Sequence, residues 1–399
     1  MNTITSTLQH YIDSNEIAGA VLMVRKDGAL VYDEEIGYAD LAKSTPVKKD
    51  SIFRLCSMSK PINGVAVAQL LEKGKLSLSD KVSSYVPEFR DMKVCKKVLV
   101  YEEYVADPDN PTGLKALRED IETMTYVPAH REITILDLLN HSSGLGEGPV
   151  GMTLLDKIKT HSSSLLERAK MIASLPLDFQ PGTRSAYSAL ASSEILSAIV
   201  EMVSGEEYEE YLRKHIFLPL GMDSLGFSVT SENQKRLVRL YEYKDGALSD
   251  VTETDPSLGS FLYDKCGYKS AAAGLYGSVE DYERFAQMLL NRGSLDGVKI
   301  LEPETVDMIH GKGIPHTSVM MPGTYWGLNM VVFEAPEKIN RRIASNTYGW
   351  SGAFGTHFYV DPANHMDVVL GINRSNIGGA DSYVSHAVER AVTDTFLKL

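Results

Sequence analysis

Apolar and polar positions divide the chain into strand-like ends and a helical middle. Residues 3–14 carry apolar side chains at helical spacing and predict a short amphipathic helix. The runs 19–24 and 29–32 are β-prone and are joined by Lys26-Asp27-Gly28, a hairpin signal because Asp-Gly tolerates the positive φ angles of a tight turn. From residue 58 to about 72 the period becomes helical, with Val65, Leu70 and Leu71 apolar and Gly74 placed to end the helix. Residues 76–132 are polar and irregular. Thr134-Ile135-Leu136-Asp137 has the form of a capping box opening a short helix to Asn140. Helices are predicted over 189–204 and 206–216, the second ending at Leu218-Pro219-Leu220-Gly221, and another over 279–290. Strand patterns return at 325–333 and 357–360, and 366–372 pairs with the latter across Asp361-Pro362-Ala363-Asn364. Val384, Val388 and Ala391 mark a final amphipathic helix, and no internal repeat interrupts the series.

The simplest arrangement is an α/β (α+β) fold: one antiparallel sheet completed by both termini, flanked by N- and C-terminal helices. A mostly helical region is inserted in the middle. The corresponding units are 1–62 with 265–399 for the sheet and 63–264 for the helices, with a site in the crevice between them.

Composition narrows the function classes. With 40 Lys+Arg against 53 Asp+Glu, the net charge of −13 repels phosphate backbones and anionic membranes, and no basic stripe offsets it. Neither nucleic acid nor membrane is expected as a partner. Residues 1–16 carry no cationic n-region and no apolar h-region, and the run 18–24 is far below the ~20 residues that span a bilayer. Cys56, Cys95 and Cys266 are scattered and odd in number, which suits free thiols in a reducing compartment. The ten histidines form no metal-binding pair. A cytoplasmic protein without metal or cofactor is expected; oligomeric state is not legible.

Three segments carry candidate chemistry. Ser57-Met58-Ser59-Lys60 is an S-x-x-K tetrad: at helical spacing the Lys60 ammonium reaches the Ser57 hydroxyl, and a serine needs such a partner to become a nucleophile. A chain of this length shows about two such tetrads by chance, but Ser57 lies where an extended segment becomes a helix, so its N–H is a spare oxyanion donor. The alternative is an N-capping serine beside a solvated lysine. In Pro181-Gly182-Thr183-Arg184-Ser185-Ala186-Tyr187-Ser188-Ala189 a tyrosine precedes a helix; a phenol ionises near pH ~10, and a neighbouring lysine favours the phenolate. The alternative for Tyr187 is a core tyrosine. Tyr348-Gly349-Trp350-Ser351-Gly352-Ala353-Phe354-Gly355 is a small-residue run whose backbone can approach a ligand. It nearly matches the G-x-S-x-G elbow, but Ala353 replaces the last glycine and no strand–elbow–helix context surrounds Ser351. Two further features are set aside. Gly146 to Gly151 fits G-x-G-x-x-G but reads as a loop, and Lys96, Lys97 and Lys312 read as solvated charges.

Taken in order, these pieces resemble the serine β-lactamase and penicillin-recognising superfamily, nearest to class C-like family VIII carboxylesterases and related acyltransferases. The markers are Phe53-Arg54-Leu55-Cys56-Ser57-Met58-Ser59-Lys60, the run 133–145 through Asn140-His141-Ser142-Ser143-Gly144, and the run 181–187. Later come Pro219-Leu220-Gly221-Met222, Ala273-Gly274-Leu275-Tyr276-Gly277-Ser278 with Asp281, and the run 349–355. The resemblance implies Ser57 as acylated nucleophile, Lys60 as its proton partner, Tyr187 as general base and acid, and an oxyanion hole from the N–H groups of Ser57 and Ala353. Two departures separate the chain from class C enzymes. Ala189 stands where Tyr-x-Asn has its amide, and Trp350-Ser351-Gly352 stands where Lys-Thr-Gly has the lysine that helps bind a substrate carboxylate. Tryptophan offers a flat apolar wall with one N–H donor, and Trp-x-Gly is what esterases of this group show. The expected function is a serine carboxylesterase acting on small neutral esters, with substrate contacts from Trp350, Ser351, Gly352 and Ala189. Its alternatives are a D-amino-acid peptidase, amidase or β-lactamase, and a non-catalytic penicillin-binding-like receptor. Arg341 or Arg342 is the candidate replacement for the missing lysine.

Overall fold

The computed structural model describes residues 3–96, 124–146, 151, 154, 162–311 and 321–397. Residues 147–150, the centre of the Gly146–Gly151 run, and Lys97 and Lys312 lie outside them. The core is an eight-stranded antiparallel sheet. Its strands along the chain are β1 (Gly19–Lys26), β2 (Ala29–Asp40), β3 (Thr45–Pro46), β4 (Thr324–Trp326), β5 (Val331–Phe333), β6 (Thr347–Ser351), β7 (His357–Asp361) and β8 (Met366–Gly371), in the spatial order β4-β5-β6-β7-β8-β1-β2-β3. Both termini complete one sheet because β1 is zipped to β8, from Val21 opposite Gly371 to Lys26 opposite Met366. The β1–β2 turn places Asp27 and Gly28 at φ +52° and +79°, as the Asp-Gly pair predicts.

Alternation along β7 shows what covers each face. Phe358 points to one side, against Tyr282 and Phe285 of the helix Val279–Leu290, with ring centroids 5.0 and 6.3 Å away. His357 points to the other, toward Glu389 on the C-terminal helix Tyr383–Phe396. The N-terminal helix Thr3–Asp13 packs against that C-terminal helix, with Tyr11 and Tyr383 edge to face at 5.6 Å. At Gly371 a Cβ would crowd Val279 and Phe53, so glycine lets the helix seat on β8.

The helical region is built around Ser59–Glu72. Every residue from Ser59 to Leu70 is buried, and a helix buried all round needs neighbours on every side. Ala191–Ser204 and Pro303–Ile309 pack against it. A buried Arg168–Glu194 pair at 2.8 Å, supported by the Tyr268 hydroxyl donating to Glu194 at 2.7 Å, ties Leu165–Ala173 to Ala191–Ser204. The capping box at Thr134 forms as read, with Arg131 gripping Asp137 through two hydrogen bonds.

Several elements differ from the sequence pattern. The run 325–333 is a hairpin, β4 and β5, rather than one strand: Gly327 packs against the Ile309 carbonyl where a Cβ would collide, and Asn329 turns the chain at φ +58°. Strand β2 runs on to Asp40, through Asp33, Glu34 and Glu35, because only one narrow strand lies beyond it and its polar side chains reach water. The predicted helix over 206–216 is α-helical only at Tyr208–Leu212, then passes through a π-helical segment, Arg213–Phe217, where Pro219 approaches.

Candidate active site

The strand Ile52–Arg54 pairs with Tyr276–Ser278, and Leu55 continues the ladder by donating to the Leu275 carbonyl at 2.9 Å. Cys56 then takes φ +49°, a left-handed conformation that costs a β-carbon-bearing residue energy and persists where the surroundings over-determine it. They do so here. Ser59 Oγ donates to the Cys56 carbonyl at 2.7 Å, Thr356 Oγ1 donates to the Leu55 carbonyl at 3.1 Å, and Leu275 N–H donates to Ser59 Oγ at 3.1 Å. Burial pushes the Cys56 thiol up to about 12, which leaves it a neutral packing group. The turn presents Ser57 at the opening of the buried helix, one turn from Lys60.

Lys60 is fully buried, and its Nζ donates to Ser57 Oγ at 3.2 Å, to the Ala189 carbonyl at 2.7 Å and to the Ala272 carbonyl at 2.8 Å. Three acceptors match the three N–H donors of an ammonium. The Tyr187 hydroxyl donates to Ser57 Oγ at 2.8 Å and accepts from Trp350 Nε1 at 3.2 Å, with Lys60 Nζ 5.0 Å from its ring centroid. Ser57 and Lys60, one helical turn apart, thus meet Tyr187, 130 residues further along the chain, around one oxygen.

The segment bearing Tyr187 is held by His141. Its carbonyl accepts from Ala186 N–H at 2.9 Å and its Nδ1 accepts from Ser188 N–H at 3.2 Å. Burial, reinforced by the Lys60 charge, drives the His141 pKa well down, so the ring is a neutral acceptor. Trp326 stacks on Tyr187 at 5.5 Å and 12°, and meets His141 and Trp350 edge-on at 4.2 and 4.6 Å. Both tryptophans of the chain stand at this site.

These groups open onto a cleft of about 700 Å³. Ser57, Tyr187, Trp326, Trp350, Ser351 and Ala353 line it, and among the described residues lining it none carries a charge. Ala189 and Gly352 are not among them. Ala189 instead gives its carbonyl to Lys60, and Gly352 is a packing position, where a Cβ would collide with Thr356 Oγ1 and the Leu55 carbonyl. Arg341 and Arg342 are engaged elsewhere: Arg341 grips Glu389 and lies over the Phe333 ring at 4.2 Å, and Arg342 pairs with Asp394 at 2.8 Å.

Ser351 lies on strand β6, not on an elbow, directly across from His357 on β7. Its Oγ is 2.7 Å from His357 Nδ1, and His357 Nε2 is 3.0 Å from Glu389 Oε1. Ser351 and His357 share that hydrogen bond, and the Glu389 carboxylate lies beside Nε2. Despite burial, the Arg341 guanidinium and His357 hold the Glu389 carboxyl down, from 4.5 to about 2. A depressed carboxylate stabilises the fold fully above its unfolded pKa and loses that contribution as pH falls through the folded value. Glu389→Gln is therefore expected to be destabilised relative to the native protein near neutral pH. The gap should shrink by about 3 kcal/mol as pH falls from 4.5 toward 2, measured by urea unfolding at several pH values. A gap independent of pH would show that Glu389 is not an ionised partner.

The family model described as Beta-lactamase matches residues 4–392. The chain belongs to the β-lactamase family. Its fold is that of the β-lactamase/transpeptidase superfamily, and the chain is a serine hydrolase of that fold. Among similar proteins, Rv1367c of Mycobacterium tuberculosis is 30% identical over 383 residues, covering 92% of this chain and 87% of its own length. Esterase EstB of Burkholderia gladioli is 27% identical over 384 residues, covering 91% and 87%. Among solved structures, EstCE1, described as a hydrolase with promiscuous acyltransferase activity, superimposes with a TM-score of 0.78 at 23% identity, over 98% of this chain and 97% of that one.

His141, Trp326, His357 and Glu389 were not singled out from sequence as site residues. His141 lies inside a quoted marker, and Trp326 is one of only two tryptophans; nothing in the sequence pairs His357 with Glu389.

Proposed function

We propose that the protein is a serine carboxylesterase that cleaves small neutral esters through an acyl-Ser57 intermediate. The observation that carries this reading is the uncharged, aromatic cleft around a Ser57–Lys60–Tyr187 cluster. Ser57 Oγ attacks the ester carbonyl while Tyr187, hydrogen-bonded to it and set beside Lys60 and the Trp350 N–H, acts as general base for the serine proton. The N–H groups of Ser57 and Ala353 hold the developing oxyanion, an interaction worth ~3 kcal/mol per donor. Tyr187 returns the proton to the departing alcohol. Water then attacks the acyl carbon as it loses a proton to Tyr187, and Tyr187 passes that proton to Ser57 Oγ as the acyl–oxygen bond breaks and the carboxylic acid leaves. EstB and EstCE1 carry esterase and hydrolase names in keeping with this chemistry. A small-molecule ester substrate and a cytoplasmic setting, without nucleic-acid or membrane partners, complete the proposal; among the described residues no helix is long and apolar enough to cross a membrane.

Substrate choice follows from charge. A β-lactam or a D-Ala-D-Ala peptide brings a carboxylate, and desolvating it without a cation costs several kcal/mol. Trp350 supplies none, Arg341 and Arg342 are committed to Glu389 and Asp394, and the Ser351 hydroxyl is turned to His357. A short-chain nitrophenyl ester is therefore expected to exceed a penicillin or cephalosporin in kcat/KM by at least ~100-fold, two lost polar contacts at ~1–2 kcal/mol each. Steady-state assays on both substrate classes measure this. Comparable efficiency on a cephalosporin would move the reading to a β-lactamase or peptidase, and covalent labelling without turnover would move it to a receptor.

A further inference from the structure

Ester chemistry at Ser57 gives the two ends of the cleft different duties. The departing alcohol oxygen has to lie within hydrogen-bond reach of the Tyr187 hydroxyl, which returns a proton to it. The carbonyl oxygen has to lie at the oxyanion donors, one of them the Ala353 N–H. The alcohol part of an ester is thereby directed toward Tyr187 and its neighbours, and the acyl part away from them.

The two ends also differ in composition. At the Tyr187 end, Trp326 stacks on the Tyr187 ring at 5.5 Å, and Trp350 meets the Tyr187 and Trp326 rings at 4.8 and 4.6 Å. The three rings touch one another and make one aromatic wall of the cleft. Around Ala353 the lining is Gly378, Gly379 and Ala380, none of which carries a ring. A Cβ on Gly379 would lie 3.6 Å from Ala353 Cα, so backbone lies against backbone there.

Polar side chains beside the aromatic wall are turned into the protein. Ser185 Oγ donates to the Asn140 carbonyl at 2.8 Å, Thr324 Oγ1 donates to the Met321 carbonyl at 2.8 Å, and Trp350 Nε1 donates to the Tyr187 oxygen at 3.2 Å. None of these three keeps a donor hydrogen with which to recognise a sugar or another polyol. Aromatic walls also attract cations, but Lys60 Nζ already stands 5.0 Å from the Tyr187 ring centroid, and its charge opposes a second cation. A neutral ring suits the wall better. Its edge-to-face or offset contacts with indole add attraction that an aliphatic group of equal size lacks.

We propose that the alcohol part of the substrate is aromatic, so that the enzyme prefers aryl and arylmethyl esters whose ring lies against Trp326 and Trp350. This inference rests on the esterase reading, with Tyr187 as the group that protonates the alcohol.

Benzyl butyrate and cyclohexylmethyl butyrate test it, because they share the acyl group, nearly the same volume and a leaving alkoxide of similar basicity. With the full native chain, benzyl butyrate is expected to show a kcat/KM at least ~5-fold higher, through KM rather than kcat. Butyrylcholine, the cationic counterpart, should fall below benzyl butyrate. Trp326→Leu should bring the benzyl-to-cyclohexylmethyl ratio to about one. That ratio is read within one protein, so a general loss of activity from altered packing on Tyr187 does not disturb it. The Ser57→Ala protein supplies a second measurement that needs neither turnover nor a change in the wall. In calorimetry it should bind benzyl butyrate at least ~5-fold more tightly than cyclohexylmethyl butyrate. In soaked crystals the ring should stand against Trp326 and Trp350. Equal efficiency on the two esters, a preference for butyrylcholine, a ratio unchanged in Trp326→Leu, or a ring seated against Gly378 and Gly379 overturns the proposal and leaves an esterase. Hydrolysis of neither ester overturns the esterase reading instead, and the calorimetric preference in Ser57→Ala then decides whether the aromatic site stands.

Discussion

Ser57→Ala is expected to abolish ester hydrolysis and covalent labelling by a fluorophosphonate, whereas Ser351→Ala should still be labelled. The sequence already favours Ser57, the serine with a helix-spaced lysine beside it, over Ser351, whose run only nearly matches the nucleophile elbow. The structure separates them. Ser57 stands on a strained turn at the opening of a helix, with Lys60 Nζ at 3.2 Å and the Tyr187 hydroxyl at 2.8 Å from its oxygen. Ser351 stands in mid-sheet, hydrogen-bonded to an imidazole whose carboxylate neighbour is already neutralised by Arg341. A serine–histidine–acid row of that kind resembles a triad in composition, yet Ser351 has no helix-terminal N–H behind it to receive an oxyanion. In the proposed scheme Ser57 is the nucleophile, so its loss removes the acyl-enzyme route and the expected fall reaches the assay background. Mass spectrometry after inhibitor trapping decides the matter: an adduct on Ser351, or on any serine but Ser57, would sink the assignment.

Tyr187→Phe should lower kcat by at least ~100-fold with a smaller change in KM, because it deletes the hydroxyl to which the proposed scheme assigns proton transfer while leaving the ring stacked on Trp326. Lys60→Ala should match it in kcat and also lower thermal stability. The buried carbonyls of Ala189 and Ala272 lose the donor they share, and each unpaired group costs roughly 1–3 kcal/mol. Running both variants through the same kinetics and melting curves distinguishes chemistry from unfolding. Near-normal turnover in Tyr187→Phe, together with inactivation by a substitution at His141, would falsify the lysine–tyrosine scheme. His141 makes a demanding control because it touches the Tyr187 ring edge-on at 5.2 Å.

The sequence by itself determined much of this protein, and the reason is locality. The Asp27-Gly28 turn, the capping box at Thr134, the helix Val279–Leu290 and the pairing of β7 with β8 each depend on residues a few positions apart, so their propensities are visible in a short window. The tetrad at Ser57 is local too, because helical geometry alone brings Lys60 beneath the hydroxyl. The order of the markers sufficed to point to the family. Tertiary structure decided what depends on long-range contacts. Tyr187 becomes a partner of Ser57 only when a segment 130 residues away is pinned by His141. Gly352 has no room for a Cβ because Leu55 and Thr356 press on it from two sides. The apparent replacement cations Arg341 and Arg342 are occupied by Glu389 and Asp394 on the C-terminal helix. A cleft's charge is a sum over residues from distant segments, and the cost of leaving a buried group unpaired is known only once folding shows which partners arrive.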